Sequence, residues 1–510
     1  MRAHRLGRGR AAAALAAAAA AALLLTGCTA PPSDEDVADG DVSSATIALE
    51  TKVTDLDPNG TTSVVSLQVM ALTSGTLIEM SRDGLRPGLA ESWQTSDDGL
   101  SFSATLKNDL VFSDGSPLTV DDVVASWEYF LEDEANVNAG QIAPIGSVVA
   151  EDDATVVFQL DTPFPSLENV LTRPSYPVLP ADRLDDPDFM LQPISAGPYA
   201  IAEWGGSDTV KLTRNDSYAG PKPVLEELTF STITESASRI AQLQSGQIQV
   251  ATNLPPTVVD EVSAPIRVDM VPQYGGTYIY MNNRTGPLSE VGVRQAISRA
   301  IDREEISTIT FSGKAPAMDS FFPSTMSAYV PAFAIDADAE EAAKLLKGTS
   351  CEQGCTIQLL MRSAGTQAVQ QMGVIIQQSL EKIGIQLQIS QVDDSVWGES
   401  LGGSFEMTID TLSDAADIPD AMLSLGLISD GGVEALFSGY ASEQMDDAAR
   451  RAISSSGADR EAALRDVNEI FAADMPYVPL VELVYVNATS LPEGLIVQMP
   501  SSFFDVEREQ

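Results

Sequence analysis

This chain has 510 residues, 73 of them Asp or Glu and 29 Lys or Arg, for a formal net charge of −44. A surface that acidic repels nucleic acid and anionic head groups, so no nucleic acid is expected as a partner. The single histidine, His4, leaves Ser-His and Cys-His nucleophile activation and histidine metal sites without their residue in the rest of the chain.

Arg2, Arg5, Arg8 and Arg10 precede an almost pure Ala/Leu run over 11–25. That run is shorter than the roughly 20 residues that span a bilayer. A basic head, a short apolar run and a small-residue junction read as a secretory signal over 1–27. Leu25-Thr26-Gly27-Cys28 resembles the bacterial lipobox. This implies a diacylglyceryl anchor on Cys28, holding the mature chain at the outer, periplasmic side of the plasma membrane; two acyl chains suffice for stable anchoring. The other reading is an ordinary signal peptide with a chance Cys. Cleavage before Cys28 removes four arginines, His4 and no acid, leaving 25 basic against 73 acidic residues and a net charge of −48. Such a field favours cationic solutes over the ~8 Å that salt permits. A plainly solvated acidic surface is the alternative.

Residues 28–45 are rich in Pro, Ser, Asp, Gly and Ala and read as a flexible acidic tether. The body beyond is longer than one core holds, so two or more lobes are expected. Thr46 to Leu49 opens it as a strand. Alternation predicts strands over Leu100–Leu106 and Ala154–Leu160. Thr119, with Asp122 three residues on, caps a helix through Glu128. Val293, Ala296, Ile297, Ala300 and Ile301 share one helical face. Ala339–Lys347 is a helix stopped by Gly348. Cys351 and Cys355 close a small Gly-containing loop; a disulfide is one reading, a metal-binding thiol pair the other, although further soft ligands are absent. Thr356–Met361 is a strand, Val369–Ile383 an amphipathic helix and Ile385–Ile389 a strand. Mixed α/β lobes fit this order.

Several motifs carry a family resemblance. Leu85-Arg86-Pro87-Gly88-Leu89-Ala90-Glu91-Ser92-Trp93 is followed by Asp97-Asp98-Gly99 and Phe112-Ser113-Asp114-Gly115-Ser116-Pro117-Leu118-Thr119. Next come Ala196-Gly197-Pro198-Tyr199 and Arg214-Asn215-Asp216-Ser217-Tyr218. Then follow Val293-Arg294-Gln295-Ala296-Ile297, Ala300-Ile301-Asp302-Arg303 and Pro476-Tyr477-Val478-Pro479-Leu480. Together, over about 46–490, they resemble the family 5 extracellular solute-binding proteins, the peptide/nickel/opine group serving bacterial ABC importers. The resemblance implies a two-lobed periplasmic-binding-protein-like α/β fold of type II, with an extra subdomain in the first lobe. The first lobe would be 46–277 plus 486–510, the subdomain within about 60–185, and the second lobe 278–485. It implies a monomer that closes on one small solute and is recognised by the permease subunits, with no cofactor and no catalytic residue. The motifs themselves read as scaffold: Trp93 as a buried ring, the Asp-Gly pairs as turns, Arg294 and Arg303 as facing solvent or a lobe-internal carboxylate.

Contact residues follow from the same resemblance. Trp397, before a Gly-containing turn, matches a pocket Trp of peptide binders; a core Trp is the alternative. Those relatives also hold the peptide's α-amino group with an Asp in an aromatic-rich stretch. Here the stretch reads Thr411-Leu412-Ser413-Asp414-Ala415-Ala416-Asp417-Ile418-Pro419-Asp420, without the aromatics and with the acid displaced. Asp414 or Asp417 would then receive a cationic group. Arg362 could hold a carboxylate through its planar fork, or be a surface Arg. Asn282, Tyr278 and Tyr280 would lie at the hinge and cleft, where hinge packing is their other reading. The solute expected is an oligopeptide or peptide-like molecule. An oligosaccharide, opine or metal chelate is the alternative within the class. An exported serine hydrolase is a remote one, resting on Ser379-Leu380-Glu381-Lys382 without the Lys-Thr-Gly that would accompany it.

Overall fold

The computed structural model describes residues 42–509, apart from 185, 187, 188, 192, 257–261, 364–365, 414–416 and 430–436. The signal segment, Cys28 and most of the tether therefore lie outside the described residues, as does Asp414. Among the described residues no helix is long and apolar enough to cross a membrane.

The strands in chain order are β1 (Ser44–Leu49), β2 (Ile78–Ser81), β3 (Gly84–Pro87), β4 (Ala90–Thr95), β5 (Ser101–Leu106), β6 (Ile145–Ala150), β7 (Thr155–Leu160), β8 (Tyr199–Glu203) and β9 (Thr209–Arg214). They continue with β10 (Glu227–Thr232), β11 (Val250–Ala251), β12 (Arg267–Met281), β13 (Cys355–Arg362), β14 (Ile385–Val392), β15 (Met407–Ser413), β16 (Tyr477–Thr489), β17 (Ile496–Gln498) and β18 (Phe504–Val506). Ten of them form one mixed sheet in the order β14-β13-β15-β12-β16-β11-β1-β10-β9-β8. The long strands β12 and β16 run antiparallel through its middle. β12 continues onto β15, and β16 continues onto β11.

Apolar side chains collect on either side of those two strands. One core takes Tyr278–Met281, the helix Val291–Ala300, the strands β13 to β15, and Tyr477 to Val484. Another gathers Ala48, Ile240, Leu243, Val486 and Ala488. A third fills the four-stranded antiparallel sheet β4-β5-β7-β6 and the helix Val120–Glu132. β5 and β7 alternate there, burying Phe102, Ala104 and Leu106 against Val156, Phe158 and Leu160. On the helix, Val120, Val123, Trp127 and Phe130 fall on one face. Its start is fixed by Thr119, whose N–H donates to the Asp122 carboxylate at 2.8 Å.

The motif residues interlock with one another. Gly197 lies so close to the end of the helix Val64–Thr73 that an added Cβ would sit 2.6 Å from the Thr73 and Ser74 carbonyl oxygens. Asn215 donates through Nδ2 to Gly197 O at 2.9 Å and through its N–H to Pro198 O at 2.9 Å. Tyr199 donates its hydroxyl to Leu225 O at 3.0 Å. Trp93 is only partly buried.

Arg294 and Arg303 differ from the expectation of solvent or a carboxylate. Arg294 donates to the carbonyls of Asp474, Met475 and Leu288. Arg303, 1% exposed, donates to Pro479 O at 2.7 Å and to Ser298 O and Oγ at 2.9 Å, and lies over the Phe333 ring. Each guanidinium is thus met by several backbone and hydroxyl oxygens, a demand that the donor fork of Arg fits. Cys351 and Cys355 are joined by a disulfide with their Cα atoms 4.9 Å apart. Ser379 is buried on the apolar face of the helix Gln367–Glu381, beside Ile376 and Leu380, so no substrate reaches its hydroxyl.

Candidate functional site: an aromatic pocket with a paired Arg and Asp

The pocket is built from strand ends. β13 and β15 run parallel with Leu360 beside Thr408. Two residues further along each strand, on the same face, come Arg362 and Asp410. The helix Asp394–Ser400 follows β14 and folds back over this edge. It places Trp397 so that its indole N–H donates to Thr408 Oγ1 at 2.9 Å, while the Thr408 hydroxyl donates to Leu360 O at 2.8 Å. This chain of bonds fixes the ring. The Arg362 guanidinium carbon then lies 4.5 Å above the Trp397 ring centroid, a cation–π contact.

Tyr280, Leu401, Phe405, Thr411 and Phe437 complete a cavity of about 180 Å³ around Trp397, Thr408 and Asp410. Most of its wall is aromatic or aliphatic. Asp410 is the one acid in that wall among the described residues. Its Oδ1 accepts the Thr411 N–H at 2.9 Å and faces Arg362 Nη2 at 3.5 Å, a long contact for an ion pair. Burial pushes the Asp410 carboxyl above the ordinary carboxylate range, against the opposing pulls of the Thr411 N–H and the Arg362 charge.

Of the residues singled out from sequence, the fold brings Trp397, Arg362 and Tyr280 together here. Tyr278 is buried in the adjacent strand and donates its hydroxyl to Phe321 O at 2.7 Å. Asn282 spends its amide on Gly403 O and Phe405 O at 3.1 and 3.0 Å, which holds the turn that carries Phe405 into the wall. Asp417 lies elsewhere: its carboxylate accepts the Ser327 N–H and hydroxyl at 3.1 Å, and its carbonyl accepts Asn169 Nδ2 at 2.7 Å. Sequence reasoning missed Asp410, Thr408, Thr411, Phe405 and Phe437. A charged residue inside the strand-like run Met407-Thr408-Ile409-Asp410-Thr411-Leu412 was the available signal for Asp410.

A second feature lies beyond Asp417. Asp420, 5% exposed in its side chain, pairs with Arg460 at 2.6 Å and also accepts the Ser166 hydroxyl. Ile418 packs into the same core as Leu167 and Val170. The segment 417–420 thus docks onto residues 166–170, far away in sequence.

Comparison with known proteins decides the family. Residues 84–433 match the family described as bacterial extracellular solute-binding proteins, family 5 middle. The chain belongs to this family. Among its relatives is the glutathione-binding protein GsiB of Shigella flexneri serotype 5b, 26% identical over 479 residues, covering 90% of this chain and 93% of that one. Another is the probable D,D-dipeptide-binding periplasmic protein DdpA of Escherichia coli K12, 28% identical over 418 residues, with 78% and 79% covered. In structure, the ABC transporter substrate-binding protein CtaP of Listeria monocytogenes superposes with a TM-score of 0.82 at 24% identity, covering 91% of this chain and 98% of that one. The fold is therefore the two-lobed α/β architecture of the periplasmic binding proteins, and the family's role is solute capture for ABC importers.

Proposed function

We propose that this chain captures a peptide-like solute in the cleft between its lobes and delivers it to the permease of an ABC importer. The observation that carries the ligand class is the pocket around Trp397, whose largely aromatic and aliphatic wall holds Asp410, with Arg362 at 3.5 Å from that acid and over the Trp397 ring. A zwitterion with apolar side chains complements such a site: charges for the paired groups, rings and methyls for the wall. The names of the relatives, which bind glutathione or a D,D-dipeptide, agree with this class. The first lobe would be 46–277 with 486–510 and the second 278–485, with β12 and β16 crossing between them. The protein acts as a monomer without catalysing a reaction on its cargo. The N-terminal pattern supports an anchor on Cys28, which keeps the receptor beside its permease outside the plasma membrane.

The test is to denature the purified protein gently and identify what it releases by mass spectrometry. Peptides or peptide-like thiols are expected. A sugar or a metal chelate in their place would overturn the ligand class while leaving the receptor role intact.

A further inference from the structure

We infer that Arg284, with Asn282 and Asn283 before it, sets the width of the Trp397 pocket and so selects the ligand by the size of the side chain it inserts. Arg284 is a positioning residue: it touches the main chain behind the pocket wall, not the ligand. The inference rests on the receptor reading above and deepens it by naming what fixes the bounds of the pocket.

Three observations carry it. First, two aromatic rings of the wall, Phe405 and Phe437, come from separate loops, and both loops hang from one turn. That turn is the three residues after β12. Asn282 holds the first loop by Gly403 O and Phe405 O, and its N–H donates to Glu406 O at 2.8 Å. The Asn283 N–H donates to Ser438 O at 2.7 Å, and its amide to Pro476 O at 3.3 Å. Arg284 Nη1 donates to Phe437 O at 2.7 Å. Second, the guanidinium lies between the two loops. A Cβ added at Gly403 would sit 3.8 Å from Arg284 Nη1, and one added at Gly439 would collide with the Arg284 stem and guanidinium. Gly439, with φ +62°, thus has no side chain where Arg284 crosses it. Third, the second loop is fixed to the core independently of Arg284. Ser438 is fully buried, with its hydroxyl 3.2 Å from the Tyr477 hydroxyl and accepting the Tyr440 N–H at 3.2 Å. Arg284 therefore adds the placement of Phe437 at the rim, not the attachment of the loop. Arg284 is itself exposed, so its removal leaves the apolar cores intact. Without it Phe437 is free to move outwards from the cavity. The wall then loses contact with a small side chain and admits a large one.

The test is a competition in which the purified protein meets an equimolar mixture of Ala-Gly-Ala, Ala-Ala-Ala, Ala-Leu-Ala, Ala-Phe-Ala and Ala-Trp-Ala, read by native mass spectrometry. Arg284→Met keeps the stem across Gly439 and removes the donor to Phe437. Its retention of the Trp member relative to the all-Ala member should rise at least about fivefold over the wild type, the scale on which apolar pockets discriminate by size. Its melting temperature should stay near that of the wild type. A merely structural role would weaken all five together and leave their order as it was. An unchanged order, or a loss of all five alike, overturns the inference, and so does a variant that does not fold, since Arg284 would then hold the scaffold. Retention of no peptide by the wild type overturns the peptide reading and leaves the clamp to a measurement that needs no ligand. That measurement is acrylamide quenching of Trp397, taken as the difference between each protein and its Trp397→Phe counterpart. Stronger quenching in Arg284→Met than in the wild type then supports the clamp, and equal quenching overturns it.

Discussion

At the scale of single residues, the site and the scaffold use charge in opposite ways. Arg303 is enclosed, and burial pushes its guanidinium down to about 10, with Arg299 adding to the shift. It remains charged because backbone and hydroxyl oxygens surround it. Arg303→Lys keeps the charge and loses the fork, so it should lower unfolding free energy by about 2–4 kcal/mol, read from a urea melt. A variant as stable as the wild type would contradict this account. Asp410 is the reverse case, a carboxyl whose burial raises it above the ordinary carboxylate range. Its folded value lies above the ordinary 3.8. Stability at this position is therefore greatest at low pH and falls as pH rises through that ordinary value towards the raised one. Binding of an ammonium has the opposite sign, since it needs the carboxylate. Affinity should drop as pH falls through the raised value, a window that opens above that of an ordinary Asp. Isothermal titration between pH 7 and 4.5 should show the decline, with Arg362 as the charged group facing Asp410, and Asp410→Asn should abolish it. Trp397→Ala removes both the pocket floor and the ring beneath Arg362, and should cost at least tenfold in affinity, the scale of a buried aromatic anchor.

At the scale of elements, the contact between 166–170 and 417–420 joins parts of the chain that belong to different lobes under the proposed division. Ser166→Ala removes the hydroxyl that reaches Asp420 but leaves the Asp420–Arg460 pair in place. It should reduce ligand affinity several-fold with little change in melting temperature, because only the docked arrangement loses a bond. Unchanged affinity would show that the contact does not bias closure. Asp420→Asn removes the charge partner of the partly buried Arg460 and should cost about 1.5–3 kcal/mol of stability as well. Most elements were legible in the sequence where a period was clear. β5, β7, β13 and the helix from Gln367 match their alternation or amphipathic spacing, and Thr119 with Asp122 marks a helix start. The motifs were legible as scaffold, and Gly197 with Asn215 shows why: one backbone approaches another too closely for any side chain. The pocket was legible only at Trp397, Arg362 and Tyr280. Asp410 escaped because its partner lies 48 residues away on a parallel neighbour, and strand registry is not written in either strand alone. The acid stretch drew attention to Asp417 because it resembled a known pattern, yet Ser327 arrives from a distant loop to take that carboxylate.

At the scale of the whole molecule, the large sheet passes through both halves by way of β12 and β16. These strands do not pair evenly: the register shifts between Pro272 and Gly276 and again between Thr277 and Tyr278. Irregularities of this kind increase local twist and interrupt the ladder, so relative motion of the lobes should concentrate there. Hydrogen exchange should find the Gln273–Tyr278 amides less protected than those of Ile279–Met281, and ligand should slow their exchange; uniform protection along β12 would argue against a hinge at the shifts. The Cys351–Cys355 loop, by contrast, is a local clasp. Replacing both cysteines with serine should cost about 2 kcal/mol, the loop-entropy scale for so short a closure, and leave ligand affinity unchanged. Under the proposed anchor on Cys28, the wild type should partition with the membrane fraction and Cys28→Ser should carry no lipid by mass spectrometry; a wild type without lipid would disprove the anchor.

Of the eight described residues that line the pocket, six fall between Trp397 and Thr411. Under the proposed reading, most of the recognising wall is written in one short cassette, whereas the frame that presents it is spread over the entire chain. On that reading a lineage of such receptors can change its cargo by rewriting fifteen consecutive positions, by drift or by a single recombination, without disturbing the glycines and arginines that hold the scaffold together. Exchanging this segment with that of a relative should carry the relative's preference with it.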